Sequence, residues 1–294
     1  MQASILIVSK NRREDLYKTV KIIESLIDKS QVEVLVFLDG CTDDSEVLLK
    51  EIDWVRWFVS SKSIGASVAR HQLYPLAKAE ILIGLDDDAH ILTKDFVSQI
   101  EIIFQENSNV GILAFEEIKG IFISDGEALQ YSESQKIEFL TSEFIGAGFA
   151  IRKSVYNLTN GFPSWIDIYG EESCLSIEVL SKGYDILYSN KIKINHRVNL
   201  VQRKLTNQNY FRFGNQLKNS TYYFLVYYPY PFFAILKLYW HNFKKYALTD
   251  WECSKIYLKT IFIVLKNILR ILRYRNPVDK VLILKMRELA ALKF

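Results

Sequence analysis

Ile81-Leu82-Ile83-Gly84-Leu85-Asp86-Asp87-Asp88 is an apolar run that ends in three consecutive carboxylates. A short continuous apolar run reads as a buried strand of a parallel sheet. Three acids where such a strand surfaces repel one another, and each is driven towards protonation unless something positive sits beside it. A divalent cation is the natural partner. Carboxylate oxygens suit magnesium and manganese, and these ions complete their shells with substrate phosphates. The competing reading is a solvated acidic turn, and the rest of the chain weighs against it.

Upstream, strand and helix patterns alternate. Residues 5–8 form an apolar run, and residues 15–27 carry Leu16, Val20, Ile23 and Ile27 at helical spacing. Residues 32–38 read as a second strand, 45–52 as a helix, 55–59 as a third strand and 63–73 as a further helix. This βαβαβαβ rhythm predicts a mainly parallel sheet with right-handed crossovers, whose ligands sit outside the carboxyl ends of the strands. Asp39 and Asp86 to Asp88 lie at such ends. Downstream, residues 96–104 and 171–182 read as helices, the latter closed by Gly183, while 110–115, 144–151 and 191–195 read as strands. Gly146 and Gly148 in the 144–151 run admit either a close ligand or tight packing. Residues 119–143 show no legible pattern.

The formal net charge of +3 conceals two surfaces. Residues 1–190 carry 17 Lys and Arg against 30 Asp and Glu, whereas residues 191–294 carry 20 against 4. An acidic half that handles a metal-bound substrate and a basic, aromatic tail that meets an anionic partner follow from that split. Residues 219–236 are uncharged but contain Pro229 and Pro231, which makes them a poor spanning helix. Residues 255–275 carry a stripe of Leu258, Ile261, Phe262, Leu265, Ile268, Leu269 and Leu272, with Lys255, Lys259, Lys266, Arg270 and Arg273 opposite. Such a helix either lies on an anionic membrane or packs on the first domain with its basic face in water. The aromatic tail also suits a homo-oligomer contact. Cys41, Cys174 and Cys253 are too scattered for a disulfide framework or a metal knuckle, which fits a reducing cytoplasm, and no secretory signal is evident at the N-terminus. No nucleic-acid module accompanies the basic tail.

Taken in order, these residues resemble an inverting family 2 glycosyltransferase of the GT-A fold, over residues 4–200. Ile5-Leu6-Ile7-Val8-Ser9-Lys10-Asn11-Arg12 looks like the family's first strand and nucleotide loop. Leu38-Asp39-Gly40-Cys41-Thr42-Asp43 is similar to its Asp-Gly-Ser-x-Asp turn, and Ile64-Gly65-Ala66-Ser67-Val68-Ala69-Arg70-His71 to its Gly-x-x-x-Ala-Arg-Asn element, with His71 in place of Asn. Leu85-Asp86-Asp87-Asp88 matches the Asp-x-Asp motif. Gly161-Phe162-Pro163 and Tyr169-Gly170-Glu171-Glu172 look like the elements that precede the acceptor-site helix, and Asn195-His196-Arg197 stands where many members carry a metal-binding His.

The resemblance implies a GT-A, Rossmann-like α/β catalytic domain over 1–205, with helices on both faces of the sheet, and a basic amphipathic helical extension over 206–294. It implies that Ser9, Asn11, Arg12, Asp39, Arg70, Asp86 and Asp87 hold the donor nucleotide, and that Asp88 and His196 hold Mn2+ or Mg2+. Glu172 is the implied base, with Glu171 the second choice because the usual Glu-Asp-x-Asp is here Glu171-Glu172-Ser173-Cys174. Gly146, Gly148 and Trp165 are the acceptor-side candidates. A nucleotide-diphosphate sugar, UDP- or dTDP-linked foremost, would donate to a glycan or lipid-linked acceptor in bacterial surface polysaccharide assembly, at the inner face of the cell membrane. The Gln-x-x-Arg-Trp element of processive synthases is missing around Gln202-Arg203-Lys204, which favours single-sugar transfer. Two other readings are a non-catalytic nucleotide-binding scaffold and a sugar nucleotidyltransferase; the latter wants a Gly-rich triphosphate loop, and Ser9-Lys10-Asn11-Arg12-Arg13 has no glycine.

Overall fold

The computed structural model describes residues 1–199 and 208–292. The 205/206 boundary and the Gln202-Arg203-Lys204 stretch lie outside the described residues. Nine strands form one sheet: β1 (Ala3–Ser9), β2 (Val32–Asp39), β3 (Arg56–Ser60), β4 (Ile81–Asp86), β5 (Ala89–Ile91), β6 (Val110–Lys119), β7 (Glu138–Thr141), β8 (Gly148–Arg152) and β9 (Asp185–His196). Their order is β3-β2-β1-β4-β8-β6-β9-β5, with β7 also paired to β9. The parallel pairing expected of the sheet runs through β3, β2, β1 and β4 and recurs between β6 and β9; β8 runs antiparallel to both β4 and β6, and β5 and β7 run antiparallel to β9. The βαβ rhythm stops at β4 because the Asp86 to Asp88 turn leads straight into β5, with no room for a crossover helix.

Helices cover both faces, and the alternation along the strands shows it. Ile5, Ile7, Val34, Val36 and Ile83 pack with Leu16, Val20 and Ile23 of α1 (Arg13–Leu26) and with the apolar side of a later helix, Phe96–Glu106. Leu6, Leu35, Phe37 and Leu82, the residues between them, pack on the opposite face against Ala69 and Leu73 of the Ala66–Leu73 helix and Leu175 and Val179 of the Glu171–Ser181 helix. In chain order the first-half helices are α2 (Leu48–Glu51), α3 (Ala66–Leu73), α4 (Phe96–Glu106), α5 (Asp125–Leu129), α6 (Lys153–Tyr156) and α7 (Glu171–Ser181). Gly84 fits this scheme sterically. A Cβ there would stand 2.3 Å from both the Phe149 ring and the Tyr74 hydroxyl, so β4 accommodates its aromatic neighbours only with glycine.

The patternless 119–143 stretch holds α5 and β7, both too short to write a period. The 144–151 run becomes a strand only from Gly148 onward; Phe144 to Ala147 form a loop at the sheet's carboxyl edge. Among the described residues, the α-helices that follow are α8 (Gln208–Tyr227), α9 (Pro231–Asn242), α10 (Trp251–Leu272) and α11 (Lys280–Glu288). Pro231 opens α9 at its first position, where a missing N–H costs nothing. Among the described residues, no helix is long and apolar enough to cross a membrane.

The extension shares a core with the sheet domain. Ile166, Cys174 and Ile177 pack with Tyr222, Leu225 and Val226 of α8, Val264 and Ile271 of α10 and Ile283 of α11. Helix α7 is consequently enclosed on nearly all sides, by the sheet on one and by α8 on the other, which explains why its sequence shows so little amphipathic contrast. Its buried Glu178 accepts hydrogen bonds from the Tyr227 hydroxyl at 2.6 Å and the Asn160 amide at 2.6 Å.

Candidate active site

At the carboxyl edge of β1, β2 and β4 opens a cleft of about 1060 Å³, floored by Arg12, Asp39, Asp86 and Asp88 and walled by Arg70 and Glu172. This is where a doubly wound sheet presents its ligands. Register builds its acidic centre. Strand β5 pairs antiparallel with β9 so that Ala89 faces His196, and the residue before Ala89 is Asp88. The His196 Nε2 therefore stands 3.1 Å from Asp88 Oδ1, while its Nδ1 lies 2.5 Å from Glu117 Oε1 at the end of β6. Burial opposes the imidazolium, yet the hydrogen bonds to Asp88 and Glu117 carry the His196 pKa up to about 9.

Asp86, Asp88 and His196 each offer one ligand atom, and these atoms lie within 4.8 Å of one another. Ligands at about 2.1 Å on opposite sides of an octahedral ion are about 4.2 Å apart, so the three fit one small divalent cation with little movement. Two carboxylate oxygens and one imidazole suit manganese or magnesium. A carboxylate on the far nitrogen of a histidine, as Glu117 is here, is the usual way such a ligand is oriented. Glu117 was hidden in the sequence as one acid of Glu116-Glu117 inside a strand whose end had not been recognised.

The other residues of the Asp turn have different tasks. Asp87 accepts from Ser9 Oγ at 2.6 Å and pairs with Arg12 Nη1 at 3.0 Å. Burial pushes its carboxyl up to about 7, against the pull of Arg12. The same Arg12 nitrogen lies 2.7 Å from Asp88 Oδ2. Ser9 and Asp87 thus tie the β1 loop to the β4 turn, and neither Ser9 nor Asn11 lines the cleft. Asn11 sits at φ 53°, its side-chain oxygen accepting from the Thr42 amide at 2.7 Å, so it staples the β1 and β2 loops. Asp39 is buried, with one oxygen on the Ile64 amide at 2.6 Å and the other on Ser63 Oγ at 2.8 Å and the Gly65 amide at 3.0 Å. Three of its roughly four lone-pair directions are used by the α3 loop. Gly65 itself, at φ 92°, packs so that a Cβ would stand 2.9 Å from the Asp167 carbonyl.

Arg70 stands in the cleft wall. Its guanidinium is buried in a cage of carboxylates: Asp86 at 2.7 Å, Glu171 at 3.1 Å and Glu172 at 3.5 Å, with the Phe162 ring 5.5 Å away. The cation that the resemblance puts near the phosphates lines the cleft and also holds acids from α7 and β4 together. The Glu171 side chain is 4% exposed, whereas that of Glu172 is 25% exposed and faces the cleft. Burial raises both carboxyls above their ordinary value, and Arg70 opposes the rise. Gly146 is essential to that approach: a Cβ there would lie 2.3 Å from Glu172 Oε1 and 3.1 Å from Arg70 Nη2.

Two acceptor-side candidates stand elsewhere. Gly148 packs under Ile194, with a Cβ position 2.5 Å from Ile194 Cδ1, and Trp165 packs between the rings of Tyr227 and Tyr274, each 6.3 Å away. Neither lines the cleft; Gly148 was needed by β8 packing and Trp165 by the core shared with α8. Instead, the far wall comes from the extension: Phe211, Arg212, Gln216 and Ser220 of α8, and Leu238 and Asn242 of α9. Their contribution had no signal in the sequence beyond the aromatic and polar mix near residue 211.

A Rossmann-like sheet whose strand ends gather residues able to hold a divalent ion, with a helix-borne carboxylate across the cleft, fits a glycosyltransferase of the GT-A fold. The family model described as "Glycosyl transferase family 2" matches residues 4–158, more than half of the chain, and the chain belongs to that family. Solved structures of the same fold include a mannosyltransferase, PcManGT, from Pyrobaculum calidifontis in complex with GDP-Man and Mn2+, at TM-score 0.57 and 14% identity over 90% of this chain and 75% of that one. GalNAc-T7 with UDP, GalNAc and Mn2+ aligns at TM-score 0.55 and 15% identity over 67% of this chain, and S. aureus TarS at 0.53 and 14% over 67%. This chain spans 43% of the GalNAc-T7 chain and 37% of the TarS chain. An uncharacterized protein of Haemophilus influenzae is 28% identical over 175 residues, covering 54% of this chain and 92% of that protein.

Proposed function

We propose that this glycosyltransferase moves a single sugar from a nucleoside-diphosphate donor to a hydroxyl of a glycan or lipid-linked acceptor, with inversion, in surface polysaccharide assembly. The observation that carries the reading is the pairing, across one cleft, of the Asp86, Asp88 and His196 group with the cleft-facing carboxylate of Glu172.

In this reading Asp39 and Asp86 flank the nucleoside, Asp88 and His196 would hold Mn2+ or Mg2+, and Asp86 also borders the ion position. The bound ion would supply Lewis-acid neutralisation of the charge that develops on the diphosphate leaving group. Arg12, the cleft's exposed guanidinium beside Asp88, adds a permanent cation on the same side. Glu172 Oε1 accepts the proton of the acceptor hydroxyl as its oxygen attacks the anomeric carbon, and attack from the side opposite the diphosphate inverts the configuration. Arg70 keeps Glu172 ionised and aimed, since removing a buried partner of three acids would leave their charges uncompensated. Glu171 also borders the cleft but is nearly enclosed, and in this reading it shapes that cage while the more exposed Glu172 meets the acceptor. The wall of α8 and α9 bounds the acceptor.

Calorimetric titration of UDP, dTDP and GDP into the full chain, with manganese and with chelator, tests the donor half. Binding of one nucleotide that needs the ion and disappears in Asp88→Asn is expected; ion-independent binding retained by Asp88→Asn would overturn the metal assignment. Mass analysis of products with sugar nucleotides of the responding base tests the transfer half.

A further inference from the structure

The amphipathic pattern of α10 predicts that its leucine stripe faces either lipid or the protein. The fold separates these. Helix α10 packs on the rest of the chain through a third face, Cys253, Thr260, Val264 and Ile271, all buried. Its stripe is left in solvent: Leu258 is 65% exposed, Phe262 68%, Leu265 62% and Leu269 76%. At about 100° per residue, Lys255, Lys259, Lys266 and Arg270 border this stripe along one edge rather than standing opposite it. Helix α9 does the same, with Phe232, Phe233, Leu236 and Trp240 exposed on a single arc. The two helices touch through Tyr239 and Tyr257, whose hydroxyl donates to the Tyr239 carbonyl at 3.2 Å.

We propose that the exposed apolar faces of α9 and α10 form one docking surface for an anionic lipid leaflet. Eight large apolar side chains exposed on two touching helices mark an interaction site. Charge decides between its occupants. Residues 231–275 contain nine Lys and Arg against two acids, Asp250 and Glu252. Asp250 is consumed as the N-cap of α10, accepting from the Cys253 amide, and Glu252 pairs with Lys255 at 2.7 Å. A second copy of the chain would bring the same cations against themselves, and lysine is depleted from the cores of protein interfaces. A leaflet of negative headgroups complements the cationic edge, and its acyl boundary takes the aromatic and leucine side chains. Trp240 with Lys244 4.6 Å from its ring, and Trp251 with Lys255 at 5.6 Å, are pairings that suit the headgroup level.

The docking surface bears on the cleft through α9. Leu238 and Asn242 line the cleft, and Leu236 and Trp240 lie on the other side of the same helix. One helix diameter, about 10 Å, therefore separates lipid from the acceptor wall. Given the sugar-transfer reading, on which this last step rests, the acceptor is carried by the leaflet itself.

Flotation of the full chain with phosphatidylcholine vesicles, with and without phosphatidylglycerol, tests the surface. Retention on anionic vesicles that falls with added salt is expected. Phe262→Glu with Leu269→Glu, both solvent-exposed and remote from the cleft, should weaken vesicle partitioning about tenfold or more. Lys259→Gln with Lys266→Gln should remove the preference for phosphatidylglycerol. Failure of the wild type to float, unchanged flotation of the Phe262 and Leu269 variant, or a vesicle-free dimer that this variant abolishes would each overturn the proposal. Nucleotide titration of the same samples separates this result from the fate of the catalytic reading, because neither substitution touches the donor site.

Discussion

Glu172 and Glu171 are neighbours of the same type, and their surroundings divide their work. Both border the cleft, but Glu172 is the more exposed and Glu171 is nearly enclosed beside Arg70. Replacing Glu172 by Gln keeps the shape and removes the acceptor for the proton; kcat should fall by about 10²–10⁴ while nucleotide affinity holds. Equal kcat in the Gln variant would exclude Glu172 as base. The pH profile carries a sign. The base works ionised, and burial raises its pKa above the ordinary 4.5, so the acidic limb of kcat/KM should lie above that value, with activity lost as pH falls through it. Gly146 offers a subtler probe. An added methyl would meet Glu172 Oε1 and Arg70, both ends of side chains that can shift, so Gly146→Ala should displace the base and lower kcat more than it lowers the melting temperature. An unchanged kcat would show that the carboxylate need not sit there.

At the scale of elements, His196 reaches the acidic turn because β9 pairs with three strands at once. Its register against β6 slips between Phe115 and Glu116, and the added length of β9 lets its last residues meet β5 and the Asp turn. Glu117 comes from the β6 side of that irregularity. Glu117→Gln should therefore weaken manganese affinity about 10–100-fold with the sheet intact, measured by titration calorimetry against circular dichroism. Affinity equal to wild type would separate Glu117 from the ion site. Helix α8 exerts a comparable hold on the loop before α7. The Asn219 amide donates to the Ile168 carbonyl at 2.7 Å and the Tyr169 carbonyl at 2.8 Å, next to Tyr169 at φ 69°. Asn219→Ala removes the partner of two partly buried carbonyls at a cost of about 1 kcal/mol or more, which thermal unfolding would detect, and it should raise acceptor KM through the loosened wall.

The whole molecule behaves as one body in its packing. Ile166, Cys174 and Ile177 of the first part are covered by α8, α10 and α11, and near the C-terminus the Leu292 amide donates to Glu143 Oε1 at 3.1 Å. A chain ended at Asn199 would expose that core, so it should aggregate or unfold well below the full chain's transition, and the full chain should show a single calorimetric transition. Two separate transitions would sink this view. The charge split follows the same plan: several first-half acids line the cleft, and basic residues border the exposed apolar faces of α9 and α10.

Much of this was legible before any coordinates. The apolar runs at 5–8, 32–38 and 81–85, the alternation that puts Ile5 and Ile7 on one face and Leu6 on the other, and the carboxylates at strand ends specified a nucleotide-type sheet and the edge that carries the site. These are local properties, written by side-chain period and by the cost of clustered charge. The strand pairings beyond β4 were not legible, because a short antiparallel strand such as β7 or β5 has no distinctive period. Nor could the sequence assign Arg70 to a carboxylate cage, Gly148 and Trp165 to packing, Glu117 to His196, or α8 and α9 to the cleft wall. Each of these depends on which residues meet across distant parts of the chain, and only the register of β9 and the shared core around α7 decide that. The amphipathic stripe of α10 was plain in the sequence, but which face remained in water was settled by the small and buried residues Cys253, Thr260 and Val264 docking on the domain.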